Sequence, residues 1–88
     1  MEDSKAIKKV YTDASITIKA GDYDSLVIGP IPADEVRNFL FTTYEVKPVK
    51  SEVFLVGYDL KGSNSIELIF YNKGTNDATI KGHYAIRT

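Results

Sequence analysis

Hydrophobic positions change rhythm once along this chain. Near the N-terminus Ile7, Val10, Tyr11 and Ala14 fall at i, i+3, i+4 and i+7, one face of a short helix. Asp3 or Ser4 is placed to cap it, and Lys5, Lys8 and Lys9 sit on its other side. A helix this short is marginal alone, so residues 1–14 read as a short helix that docks, or as an arm that orders on a partner.

From Ser15 the period is two. Ile16, Ile18 and Ala20 alternate with Thr17 and Lys19, the pattern of a half-buried strand. Gly21-Asp22-Tyr23-Asp24 is a turn, and residues 25–28 form a second strand, apolar on both faces. Gly29-Pro30-Ile31-Pro32 ends it, because proline cannot donate to a ladder. Residues 32–36 suit one helical turn, with proline first and acids near the start. Residues 37–46 are a third strand and residues 52–60 a fourth. In the fourth, Val53 and Leu55 take one face and Phe54, Val56, Tyr58 and Leu60 the other. Apolar groups on both faces mark a strand that is central or covered by another chain. Lys61-Gly62-Ser63-Asn64 turns into a fifth strand, residues 65–71. After a turn at residues 72–77, residues 78–87 close the chain as a sixth. The predicted fold is all-β: an antiparallel, jelly-roll-like β-sandwich of about six strands over residues 15–88, preceded by the arm or helix.

Composition agrees with this. Ile, Val, Thr, Tyr and Phe make up 33 of the 88 residues, against only 5 Leu and 6 Ala, which argues for sheets over a helical bundle. Eleven basic and twelve acidic residues leave a net charge of −1, so nothing pulls the chain toward nucleic acid or an anionic membrane. The absence of cysteine excludes a disulfide scaffold, a thiolate zinc site and a cysteine nucleophile. No apolar run approaches the roughly 18 residues of a membrane span, and Met1-Glu2-Asp3-Ser4-Lys5 carries no apolar leader region.

Chemistry is sparse. His83 is the sole histidine and lies on the polar face of the last strand, which predicts a solvated or interface side chain rather than a catalytic one. Asp22, Asp24, Asp34 and Glu35 form an acidic stretch with no basic residue from Ala20 to Val36. Its spacing matches no calcium loop, and turn and cap chemistry accounts for each acid. Tyr44, Phe54, Tyr58, Tyr71 and Tyr84 would suit a stacking platform for bases or sugars, but no basic stripe accompanies them. No catalytic residue, metal site or cofactor is expected.

From Ser15 to the end, the order of parts resembles a known family: a strand rises into Ala20-Gly21-Asp22-Tyr23 and a second strand follows. The strand and turn Ser65-Ile66-Glu67-Leu68-Ile69-Phe70-Tyr71-Asn72-Lys73-Gly74-Thr75, pattern I-x-L-x-F-x-N-x-G-T, leads into Ala78-Thr79-Ile80-Lys81-Gly82-His83-Tyr84-Ala85-Ile86, pattern I-x-G-x-Y-x-I. This resembles the small β-sandwich modules of tailed-bacteriophage virions: capsid decoration proteins, head fibres and tail-fibre tips. Those modules often have a Gly-rich approach to the fourth strand, where this chain has Lys47-Pro48-Val49-Lys50.

The resemblance implies a non-enzymatic virion protein on the capsid surface, made in the host cytoplasm. It would bind the major capsid protein or another virion protein, as a homotrimer. Lys5, Ile7, Lys8, Lys9, Val10 and Tyr11 are the expected capsid contacts. Val53, Phe54, Leu55, Val56, Tyr58 and Ile69 are the expected oligomer interface. The alternatives are a receptor- or carbohydrate-binding fibre tip, motivated by the tyrosines and acidic loops, and an OB-type nucleic-acid binder.

Overall fold

The computed structural model describes residues 6–88, so Lys5 lies outside the described residues. Among these, six strands and one helical turn follow in order: β1 (Ile7–Ile18), β2 (Tyr23–Ile28), α1 (Ala33–Val36), β3 (Phe39–Lys47), β4 (Val53–Lys61), β5 (Ser65–Asn72) and β6 (Ala78–Arg87). They build two antiparallel sheets, sheet A in the order β1-β6-β3 and sheet B in the order β2-β5-β4. The first strand pairs with the last and the second with the next to last. This nested pairing is the winding of a jelly roll, as the alternation predicts. Every connection except the β4–β5 turn crosses between sheets.

β5 and β6 are the two middle strands. Their inward residues Ile66, Leu68, Phe70, Ile80, Tyr84 and Ile86 are the buried core, joined by Ile18, Leu26, Ile28 and Ile31. Gly82 lets the sheets touch there. A Cβ at this position would stand 2.8 Å from both Leu26 Cδ2 and Ile28 Cδ1, so any side chain would force Leu26 and Ile28 to repack.

Among the described residues, the predicted N-terminal helix or arm is replaced by strand. Residues 7–14 belong to β1, and Ile7–Tyr11 pair with Arg87–His83. The helical spacing is accidental. Val10 and Ala14 pack against the core, while Ile7 and Tyr11 face outward. Between Tyr11 and Ser15 the register shifts. Thr12 fills the irregularity by donating its hydroxyl to Gly82 O (2.6 Å) and accepting from Ala14 N–H (3.0 Å). A full-length partner in β6 outweighs the weak preference of an isolated four-position pattern.

The β4 faces also differ from strict alternation. A bulge between Leu55 and Gly57 leaves Val56 without a partner on β5. After it the faces exchange. Val53, Leu55, Tyr58 and Leu60 lie opposite the inward residues Asn72, Phe70, Leu68 and Ile66, while Phe54, Gly57, Asp59 and Lys61 share the outer face of sheet B. Ile69 leans over Gly57, its Cδ1 2.9 Å from where a Cβ would sit.

Candidate functional site at the open side of the sandwich

The two sheets approach each other most closely along one side. β1 packs across β2, and β2 also reaches β6. At the other side β3 and β4 end their sheets, with no strand beyond either among the described residues. Beyond Val53, which packs against the core, the inward-facing side chains of β4 therefore lack a full covering layer. Leu55 is 43 %, Tyr58 56 % and Leu60 65 % exposed, although they line the inside of sheet B. Phe54 (50 %) on the outer face and the bulge residue Val56 (53 %) complete a strand that is apolar and wet on both sides. From sheet A, Tyr44 reaches across to Phe70 (ring centroids 4.9 Å, edge-on) but stays 39 % exposed.

One end of this seam deepens into an apolar pocket of ≈ 140 Å³, lined among others by Ile31, Val36, Phe39, Tyr58, Leu60 and Ile66. α1 forms its wall. The helical turn is held to β6 by the Tyr84 hydroxyl, which donates to Glu35 Oε1. Burial pushes the Tyr84 phenol up to about 12, helped by the Glu35 carboxylate and by Asp34. On the outer face of sheet B the charges gather at the far end of β4. Asp59 lies opposite Glu67, and Lys61 bridges them at 3.8 and 3.3 Å. A hydrogen bond from Ser25, then Lys61, holds the Glu67 carboxyl below its ordinary value.

The expected oligomer set is thus brought together: Phe54, Leu55, Val56 and Tyr58 are exposed on β4, Val53 is half-buried beside them, and Ile69 is the half-buried neighbour over Gly57. Leu60 and Tyr44 belong to the same surface and were missed. Leu60 was legible in the β4 run itself; Tyr44 was not, because nothing local tells which aromatic of β3 a missing layer would leave bare. Of the expected capsid contacts, Ile7, Lys8, Lys9 and Tyr11 are exposed on β1, with Lys9 Nζ over the Tyr11 ring at 5.4 Å, while Val10 turns to the core.

The residues that suggested chemistry do not converge. His83 is only 4 % exposed. Its Nδ1 accepts from Thr12 N–H (3.1 Å), so the ring proton sits on Nε2 and is donated to Glu45 Oε2 (2.9 Å). Tyr11 covers the ring edge-on at 4.8 Å. Both nitrogens are occupied, and neither is free to take a proton from a substrate. Thr43, opposite His83, has a buried hydroxyl with no hydrogen-bond partner among the described residues. Asp22 and Asp24 lie near the start of β2, whereas Asp34 and Glu35 follow its end on α1, so the acidic stretch splits between opposite ends of the strand. Among the described residues no group of three or more His, Asp or Glu could hold a metal ion. The five aromatics also separate. Tyr84 is in the core, Tyr44 and Tyr58 are in the seam, and Tyr71 and Phe54 are on the outer face of sheet B, where Tyr71 stacks on Tyr23 at 4.6 Å.

Compared with known proteins, the chain matches no family model, no curated protein and no solved structure. No helix among the described residues is long and apolar enough to cross a membrane.

Proposed function

We propose that this chain is a non-enzymatic attachment module that works by holding other protein surfaces. The observation that carries this reading is β4, an edge strand with exposed apolar side chains on both faces. Free-standing proteins blunt such edges, and large exposed apolar patches mark contact sites. The occupied nitrogens of His83 and the dispersed acids support a binding role over catalysis.

The finer setting rests on the resemblance alone: a capsid decoration or accessory protein of a tailed-phage virion, bound to the major capsid protein or another virion protein and self-associated on the particle. In that reading Ile7, Lys8, Lys9 and Tyr11 on the β1 edge meet the capsid, and β4 serves self-association. Capsids lacking their accessory protein are the test. The purified chain is expected to sediment with them, and the double variant Ile7→Asp, Tyr11→Asp, changed only at exposed positions, is expected to stay in the supernatant while keeping its far-UV circular dichroism. A wild-type chain that never sediments with such particles removes the virion reading. One observation favours a carbohydrate-binding tip instead, the row Tyr23, Tyr71 and Phe54 across the outer face of sheet B; glycan binding by the same sample would select it.

A further inference from the structure

Resting on the reading of β4 as a contact strand, we infer that its occupant is a second copy of this chain, paired antiparallel through β4 about a two-fold axis between Val56 and Gly57. The amount of bare surface fits this. At roughly 150–250 Å² per aromatic side chain, half-exposed Tyr44, Phe54 and Tyr58 with Leu55, Val56 and Leu60 present on the order of 600 Å². A standard interface takes about 800 Å² from each partner, so the seam with its rim is of the right size.

The register follows from the bulge. In an antiparallel pair, opposite residues face the same side of the sheet. A regular strand paired with its own copy can match faces only when the axis runs through a residue. In β4 the faces exchange at Val56 and Gly57, so an axis through any one residue mismatches faces as soon as the pairing crosses the bulge. An axis between Val56 and Gly57 matches them along the strand. Tyr58 then meets Leu55 of the partner subunit and Leu60 meets Val53 of the partner subunit on the inner face. Asp59 meets Phe54 of the partner subunit on the outer face. The two bulges face each other at the axis, and regular ladders run on either side.

Charge agrees with the same register. Lys61 is set opposite Glu52 of the partner subunit, whereas a slip of two positions in one direction would set it against Lys50 of the partner subunit. Because β3 and β4 end their sheets on the same side, the axis that joins sheet B to its copy also brings the two β3 edges together. The open sides close on each other, and the inward faces of Tyr58 and Leu60 leave water.

The chain has no cysteine, which gives a clean cross-linking test. Phe54→Cys and Asp59→Cys are exposed, single-site variants of the whole chain. Opposite residues stand about 4.5–5.5 Å apart between Cα atoms, within disulfide range. Mixed under mild oxidation, the two variants are expected to give a disulfide-linked heterodimer, and neither alone should cross-link. In sedimentation equilibrium the wild-type chain is expected to be a dimer at tens of micromolar. Tyr58→Lys is expected to weaken that dimer at least tenfold without loss of sheet signal. A trimer overturns the inference, as does equal cross-linking by one variant alone. A chain that stays monomeric at several hundred micromolar also overturns it, and leaves the attachment reading to stand or fall on the capsid experiment.

Discussion

Asn72 sits at a junction where three chain segments end. It is fully buried, and its side chain is bonded throughout: Nδ2 donates to Ile18 O (3.0 Å) and Asn76 O (2.9 Å), and Oδ1 accepts from Gly74 N–H (2.9 Å). Its backbone N–H donates to Asp22 O, and its carbonyl accepts from Gly21 N–H. One residue thereby ties the end of β1, the β1–β2 turn and the β5–β6 turn. Asn72→Asp replaces two donors with an acceptor facing two carbonyls. It is expected to lower stability by about 2–4 kcal/mol, read as a shift in the urea midpoint with unchanged slope. Tyr84 gives a pH signature. The folded chain keeps this phenol protonated up to about 12, whereas an unfolded tyrosine ionises near 10. Its contribution to stability is therefore complete below pH 10 and is lost as pH rises toward 12, because the unfolded chain releases the proton first. Absorbance-monitored titration should show one of the six tyrosines ionising last, and Tyr84→Phe should remove that step and flatten the fall in stability between pH 10 and 12.

At the scale of elements, β1 shows how a partner overrides a pattern. Four apolar positions at helical spacing are present in residues 7–14, and they predicted an appendage. β6 offers paired backbone from His83 to Arg87, so the same residues extend the strand. The consequence is measurable. A detachable arm could be cut away with the sandwich left intact. Removing residues 1–14 instead unpairs the end of β6 and strips Val10 and Ala14 from the core. Against a total stability of roughly 5–15 kcal/mol for a domain, the truncated chain is expected to melt at least 10 °C lower or fail to fold, by circular dichroism. The one-turn α1, read from Pro32 and its acids, does form as Ala33–Val36. There the signal was local: proline pre-sets the backbone of the first turn.

Across the whole molecule, the seam between β3 and β4 exists because the sheets lean on each other at β1, β2 and β6. Tyr44 partly substitutes for the missing cover by lying edge-on to Phe70, but Tyr58 and Leu60 have nothing comparable and open into the apolar pocket. The molecule's near-neutral charge leaves apolar contact as the main force available to that surface, which is the condition under which a second copy is an adequate partner.

Alternation alone determined that β5 and β6 are inward-facing strands. Ile66, Leu68, Phe70, Ile80, Tyr84 and Ile86 repeat at the period set by backbone geometry, and that period is a local property. Alternation also marked β4 as needing cover on both faces. Only the tertiary structure decided which strand sits at an edge, since order within a sheet is a matter of long-range pairing that no local repeat encodes. The bulge at Val56 and the conversion of residues 7–14 into strand were settled the same way, by the strand that lay alongside.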